Sequence, residues 1–256
     1  MFDYRGLQDG FFIALYIAVA ILAVLGCLYL LFRQRNLFMH EYGPNSRTFK
    51  TSTGKLVRFG HPMRSSLRLR RWTAALLATM AASHVWWYAI GQWWLADDWL
   101  VRTILVIMLD YTTLVPLTMG MLLAMLQDRR RPLWPWLVMH LSVVISGVAG
   151  MVQRSWFFGN EVAHYLQVVV VVVFVAYYIV ALWQYGRWLL DNYADLERKK
   201  VWQSLVFVMA LLIIYLIYTS NSGNLMREYL SQVISIVIIG FLLWRVETLQ
   251  ELKEEE

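Results

Sequence analysis

The sequence predicts an all-α, polytopic membrane protein with seven transmembrane helices. Three observations support this fold class. Hydrophobic residues make up 59% of the 256 residues, too large a share for one water-soluble domain, which needs a polar surface. Apolar windows of about 20 residues, the length that crosses roughly 30 Å of hydrocarbon, recur from end to end. The loops between these windows are alternately rich and poor in Lys and Arg.

The predicted spans occupy nearly the whole chain, so residues 1–246 form one transmembrane module. The spans are Phe11–Phe32, Trp72–Trp94, Leu100–Leu126, Leu133–Val152, Val162–Gly186, Val201–Thr219 and Tyr229–Trp244. Residues 247–256 form a short acidic cytoplasmic tail or the start of a signalling helix. We expect the first span to be retained, because its apolar run is too long for a cleavable signal peptide.

The distribution of positive charge predicts an outside N-terminus and a cytoplasmic C-terminus. Nineteen of the 23 Lys and Arg residues fall on one side of the predicted bundle, ten of them in Arg33–Arg71. The other side holds only Arg5, Arg102, Arg154 and Arg227. Because short loops rich in Lys and Arg stay in the cytoplasm, the basic side is the cytoplasmic one. This topology accounts for the net charge of +6 without any binding of nucleic acid by the chain.

The connections between spans carry separate predictions. Arg33–Arg71 has no sustained apolar period, so we expect a loop that lies on anionic lipid head groups or docks a cytoplasmic partner. Arg187–Lys200 has apolar residues at helical spacing, which predicts that the fifth helix continues into the cytoplasm. The outer connections, including Gln153–Glu161, are short loops, and they exclude a folded extracellular domain.

Small residues at four-residue spacing predict close helix packing in two spans. The second span carries Ala74, Ala78 and Ala82, and the fourth carries Ser142, Ser146 and Gly150. Such rows let neighbouring helix backbones approach each other closely. A chance run of common membrane residues is the alternative.

His84 and Asp110 form the candidate intramembrane polar pair. Ionisable groups at membrane depth are costly and point to function. Both residues lie about ten residues inside adjacent antiparallel spans, hence at similar depth at 1.5 Å per residue. A hydrogen bond between them would lower the burial cost of the carboxylate and form a proton-responsive switch. The alternatives are a static tie between helices, or a protonated Asp110 bonded to Thr112 or Thr113.

The sequence lacks the residue sets that several functions require. His140 and His164 lie at different depths, so neither haem ligation nor a zinc site is expected, and no cofactor or metal is assigned. Retinal is excluded because every Lys lies outside the predicted spans. No catalytic residues are assigned and an enzyme is not expected, since the chain has no phosphate-binding Gly-rich loop, nucleophile elbow or pair of catalytic carboxylates.

The C-terminal end favours signal transmission. Leu242, Val246 and Leu249 keep helical spacing across the membrane boundary. The segments Asp191-Asn-Tyr-Ala-Asp-Leu-Glu-Arg-Lys-Lys-Val-Trp-Gln-Ser204 and Leu243-Trp-Arg-Val-Glu-Thr-Leu249 resemble the membrane region of Bacteroidales-type multi-pass AraC-family helix-turn-helix transcriptional regulators. The resemblance implies a sensory module in a bacterial inner membrane whose output is transcription. The DNA-binding part of that family is absent from this sequence.

We therefore expect a non-enzymatic sensory and signal-transducing module that couples a stimulus in the bundle to a cytoplasmic output. Its expected partners are the lipid bilayer, a small-molecule or lipid ligand that the sequence does not identify, and a second copy of the chain in a homodimer. A small-solute or proton-coupled transporter that uses the Asp110 region is the alternative.

Overall fold

The computed structural model describes residues 9–33, 48–50, 56–58, 66–90, 98–192, 205–211, 213–214 and 225–248. Long helices dominate these residues, which confirms the predicted helical fold class. The helices are α1 (Gly10–Phe32), α2 (Leu67–Tyr88), α3 (Trp99–Met125), α4 (Trp134–Val152), α5 (Ala163–Asn192), α6 (residues 205–211 and 213–214) and α7 (Leu225–Thr248).

Five helical segments are long and apolar enough to cross a bilayer, as in a membrane protein. They are Gly10–Phe32, Trp99–Met125, Trp134–Val152, Phe157–Leu189 and Met226–Thr248. α2 is not one of these five, and its first turns contain Arg68, Arg70 and Arg71. The sixth predicted span, Val201–Thr219, lies partly outside the described residues. The total of seven spans and the orientation therefore stay predictions.

The connection between α1 and α2 contains a short antiparallel hairpin, β1 (Thr48–Lys50) and β2 (Leu56–Arg58), in which Phe49 pairs with Val57. The sequence analysis did not predict these strands, and the binding role of the loop stays a prediction. Strands of three residues are too short to produce a recognisable alternation of apolar and polar positions. The rest of this connection lies outside the described residues.

α2 begins five residues before its predicted span, α7 extends four residues beyond its predicted span at each end, and the fifth span shifts at both ends. α5 extends to Asn192, beyond the predicted span end at Gly186, which confirms the continuation of this helix as far as the structure describes it. The predicted outer loop Gln153–Glu161 is shorter than expected, because a π-helical segment, Phe157–Val162, leads directly into α5.

Helices that follow one another in sequence pack side by side from α1 to α5, and α7 returns to pack against α1 and α2. α3 is the most enclosed of the five membrane-crossing segments, because half of its apolar window is buried, against 22% for α1. The lipid-facing surfaces of α1, α4 and α5 carry exposed apolar side chains instead. The sites described below therefore lie around α2, α3 and α7.

Of the two predicted rows of small residues, the row in α4 lies at a close contact between helices and the row in α2 does not. In α4, Ser146 and Gly150 are buried, and a Cβ on Gly150 would lie 2.1 Å from Gly159 Cα, so this row does permit a close backbone approach; Ser142 is exposed. In α2, Ala74 is buried but Ala78 is exposed, so that row is not one contact face. The buried face of α2 includes instead Thr73, Leu77, Met80 and His84.

Candidate functional site

Asp110 lies buried in the middle of α3, and three side chains of α2 donate hydrogen bonds to it. Ser83 Oγ donates to Oδ1 at 2.7 Å, Trp86 Nε1 donates to Oδ1 at 3.0 Å, and Trp87 Nε1 donates to Oδ2 at 2.5 Å. Residues 83, 86 and 87 share one face of α2 because residues three and four apart are neighbours on a helix. These four residues are called the Asp110 cluster below.

The Asp110 cluster can satisfy an ionised carboxylate at both oxygens. An indole N–H can only donate a hydrogen bond, so Trp86 and Trp87 both require an acceptor. A carboxylate accepts at both oxygens, whereas the O–H of a carboxylic acid would itself need an acceptor. Charge-assisted hydrogen bonds are about twice as strong as neutral ones and offset part of the cost of burying the charge. The cluster can therefore hold a carboxylate, and it can also hold a carboxylic acid whose O–H donates to Ser83 Oγ.

His84 follows Ser83 in α2 but contacts a different helix. Its Nδ1 lies 2.7 Å from the carbonyl oxygen of Met80, and its Nε2 lies 3.0 Å from Gln232 Oε1 in α7. Because a carbonyl only accepts, Nδ1 carries a hydrogen. A charged imidazole then donates from Nε2 to Oε1, whereas a neutral one accepts from the Gln232 amide nitrogen after rotation of the amide. The pair can satisfy both protonation states of His84.

α1 also contacts His84. The Tyr16 hydroxyl donates to the backbone carbonyl of His84 at 2.8 Å, and the Tyr16 and His84 rings lie 4.5 Å apart between centroids. His84 therefore connects three helices: α1 through Tyr16, its own helix α2, and α7 through Gln232.

The structure brings His84 and Asp110 into one buried region, but the hydrogen bonds that it describes for each residue go to other partners. Consecutive residues point about 100° apart around a helix, so Ser83 faces α3 whereas His84 faces α7. The hydrogen bonds that the structure describes for Thr112 and Thr113 go to carbonyls of their own helix, those of Met108 and Leu109.

The sequence analysis did not identify Ser83, Trp86, Trp87 or Gln232 as members of the site. The spacing of Ser83, Trp86 and Trp87 places three donors on one helix face, and this signal could have found them. Gln232 offered no such signal, because only the return of α7 to α2 brings it to His84.

A second buried contact joins the other ends of α2 and α7. Arg70 Nη1 lies 3.1 Å from Glu247 Oε1, and both side chains are 3% exposed. Arg70 also donates to the carbonyl oxygens of Leu30 and Arg33 at the end of α1. Arg70 therefore joins the same three helices as His84, about 21 Å away along α2 at 1.5 Å per residue.

The two other intramembrane histidines form separate ties between helices. His140 Nδ1 lies 2.8 Å from the Trp136 carbonyl oxygen and its Nε2 lies 3.4 Å from Gln167 Nε2, which joins α4 to α5. His164 Nδ1 lies 2.9 Å from the Tyr111 hydroxyl. Across the part of the chain that the structure describes, no three His, Cys, Asp or Glu side chains converge as metal ligands would.

The chain matches no protein-family model, no curated protein and no solved structure. The resemblance to the membrane region of AraC-family regulators stays a prediction.

Proposed function

We propose that the chain is a membrane-embedded signalling module in which the hydrogen bonding of Asp110 controls the packing of α7 against α2. One observation carries the proposal: Ser83 and His84 are adjacent, and the first contacts Asp110 while the second contacts Gln232 of α7. A displacement of α2 at Ser83 therefore reaches α7 through the next residue.

The distant end of α7 is coupled to the same helix. Glu247 is held by Arg70 of α2, and α7 is a continuous helix between Gln232 and Glu247. A continuous helix transmits a shift or rotation along its length as a rigid element. A change at the Asp110 cluster would therefore move the end of α7 that is predicted to face the cytoplasm.

A proton is a suitable stimulus for this arrangement. Protonation of Asp110 would remove the charge that strengthens the bonds from Ser83, Trp86 and Trp87. It would also add an O–H group, which the indole groups cannot accept, so the bond with Ser83 would have to reverse its direction. The titratable groups facing the same region are His84 and Tyr16, and Tyr111, the residue after Asp110 in α3, contacts His164. The state of Asp110 is thus coupled to how tightly α2 packs against α3.

The output follows from the position of α7. An output domain or a partner protein beside the end of α7 would receive the displacement, and the resemblance noted above suggests transcription as the final step. A second copy of the chain is a further candidate partner for this end.

A proton-coupled transporter is the second candidate, and the same buried carboxylate favours it. Intramembrane acids serve as proton relays in transporters. The two functions differ in one measurable respect, because a transporter must move a proton or a solute across the membrane, whereas a signalling module need only move α7.

Spin-label distances test the signalling proposal. We would introduce Arg71→Cys in α2 and Trp244→Cys in α7 in a Cys27→Ala background, reconstitute the full chain in nanodiscs, and measure the distance by double electron–electron resonance. Arg71 and Trp244 are exposed. Acidification should change the distance distribution, and Asp110→Asn should fix it in one state at every pH.

Asp191→Asn is the matched control, because it makes the same chemical change at an exposed carboxylate at the end of α5. This variant should respond to acid as the parent chain does. A distance that acid does not change contradicts the signalling proposal. Proton entry into liposomes that needs Asp110, without movement of α7, would establish the transporter instead.

A further inference from the structure

The side chains of Arg129 and Arg187 both contact one turn of α5 at the surface of the bundle, on the side predicted to be cytoplasmic. Arg129 lies in the connection between α3 and α4, and its Nη2 donates to Gln184 Oε1 at 2.5 Å. Arg187 Cζ lies 4.7 Å from the centroid of the Trp183 ring. Gln184 and Trp183 lie three and four residues before Arg187 and so neighbour it on the surface of α5, which places both exposed guanidinium groups on one part of this helix.

We propose that Arg129 and Arg187 bind the phosphate of an anionic phospholipid whose acyl chains lie along α4 and α5. A guanidinium group has five N–H donors in a planar fork that matches phosphate oxygens. Arg129 uses one donor for Gln184 and Arg187 places its plane over Trp183, so donors of both groups remain for an anion. This proposal does not depend on the proposed signalling function.

Among the described residues, neither Arg129 nor Arg187 forms an ion pair, although Asp191 lies one turn beyond Arg187 on α5. Asp128, the acidic residue beside Arg129, is held instead by the buried Arg131, whose two terminal nitrogens contact the two carboxylate oxygens at 2.5 and 2.8 Å. Arg130 is exposed and lies close enough to Arg68 for electrostatic repulsion. A negatively charged ligand would therefore relieve the excess of positive charge.

The apolar surface below the two arginines fits acyl chains. α5 exposes Val180 and Trp183, which are 53% and 62% exposed, and α4 exposes Val138 and Leu141, which are 60% and 55% exposed. The two helices are in contact here, since the Trp136 and Tyr177 rings lie 5.2 Å apart between centroids, tilted by 52°. Basic groups above a lipid-facing apolar surface match a phospholipid better than a soluble acidic peptide, which needs no such surface.

The predicted orientation strengthens the choice of ligand. Anionic lipids concentrate in the cytoplasmic leaflet, where basic pockets between transmembrane helices bind their head groups. The five membrane-crossing segments include Phe157–Leu189, so Arg187 lies close to the end of its span, at the depth of the head groups. The lipid phosphate and the two guanidinium groups are thus expected at the same level.

Native mass spectrometry of the full chain in detergent tests the site. Phosphatidylglycerol and phosphatidylcholine would be titrated separately, and the first bound molecule of phosphatidylglycerol should be strongly preferred. Arg129→Gln combined with Arg187→Gln should weaken that first binding roughly 30-fold, because each arginine near an anionic membrane surface contributes about a factor of five.

Arg33→Gln combined with Arg71→Gln is the charge-matched control, since it removes two exposed arginines from the same predicted side. It should weaken the first binding no more than about threefold if the site rather than the overall charge is responsible. Equal losses in the two double variants, or no preference for phosphatidylglycerol, would overturn the proposal. So would competition by inorganic phosphate or by poly-glutamate at the concentration at which the lipid binds.

A second measurement distinguishes the loss of lipid binding from the misfolding of a variant. In vesicles, spin-labelled phosphatidylglycerol should quench the tryptophan fluorescence of the chain more than spin-labelled phosphatidylcholine does. Trp183→Phe should remove this difference in quenching between the two lipids. Arg187→Lys keeps the charge but loses the planar fork, so it should fold and still weaken the binding of phosphatidylglycerol. Unchanged quenching in Trp183→Phe or unchanged binding in Arg187→Lys would place the lipid elsewhere.

Discussion

Arg70 and Glu247 form a buried ion pair, with 3.1 Å between Nη1 and Oε1, that joins the first turn of α2 to the last turn of α7. The contact of His84 with Gln232 joins the same two helices at the other end. α2 and α7 are therefore fastened at two levels, and a rotation of α7 must rearrange both. The contact of His84 with Gln232 lies beside the Asp110 cluster, and the ion pair of Arg70 with Glu247 lies beside the predicted cytoplasmic face.

Breaking the ion pair from one side should destabilise the bundle strongly. Arg70→Met leaves Glu247 as a buried charge without its ion-pair partner, and the loss of one partner from a buried pair costs about 3–5 kcal/mol. Thermal unfolding of the detergent-solubilised protein would measure the loss. Arg70→Met with Glu247→Met should recover much of the stability, because no buried charge is then left unpaired. A double variant as unstable as the sum of the single variants would contradict this account.

Replacing Asp110 with Asn should disturb the two indole groups in a way that can be observed directly. Asn keeps the shape of Asp, but its amide nitrogen donates and cannot accept from an indole. At least one of Trp86 and Trp87 should therefore lose its partner, with a net loss of about 1.5–3 kcal/mol for a bond to a charged group. Indole ¹⁵N–¹H NMR spectra would show the change as an upfield proton shift. Ser83→Ala should move these signals much less, and unchanged indole signals in Asp110→Asn would refute the three-donor arrangement.

A single methyl group should separate α4 from the π-helical segment. A Cβ on Gly150 would lie 2.1 Å from the Cα and 2.2 Å from the backbone nitrogen of Gly159, and backbone cannot move aside as a flexible side chain can. Gly150→Ala should therefore cost about 1–3 kcal/mol. Gly240→Ala is the matched control, because it meets nothing within 4 Å and gains up to about 1 kcal/mol of helix propensity. Equal melting temperatures for the two variants would contradict the close approach.

The sequence predicts the membrane helices well because their signal is local. A run of apolar residues long enough to cross hydrocarbon identifies itself, and α1, α3, α4, α5 and α7 all overlap predicted spans. α2 is harder to delimit, because its helix includes Arg68, Arg70 and Arg71. One of these charges, Arg70, is buried against Glu247 from the far end of the chain, and no local pattern identifies such a partner.

The candidate site was predicted only in outline for the same reason. Depth along adjacent spans correctly placed His84 and Asp110 in one region, since rise per residue fixes depth. Depth does not fix the direction in which a side chain points, and the 100° between neighbouring residues directs Ser83 rather than His84 toward Asp110. The partner of His84 depends on the return of α7 to α2, which is a property of the tertiary packing.

The contact between Asp9 and Tyr229 should make the start of α1 sensitive to acid. Asp9 caps α1 by accepting from the Phe11 amide at 2.9 Å, and it accepts from the Tyr229 hydroxyl at 2.6 Å. The bond from Tyr229, followed by that from Phe11, holds the pKa of Asp9 below its ordinary value of 3.8. A lowered pKa means that this stabilisation is fully present above pH 3.8 and is lost as the pH falls through the lower value in the folded protein.

Tyr229→Phe tests this relationship cleanly. The variant keeps the aromatic ring that contacts Phe12 at 5.3 Å between centroids but removes the hydroxyl group. The titration midpoint of Asp9, followed by the ¹³C signal of its carboxyl carbon, should lie below 3.8 in the parent chain and rise toward 3.8 in the variant. Asp9→Asn should remove the acid-dependent part of the hydrogen-exchange protection at Phe11 and Phe12. A parent midpoint at or above 3.8, or one that Tyr229→Phe leaves unchanged, would show that the tyrosine hydroxyl does not hold this carboxylate.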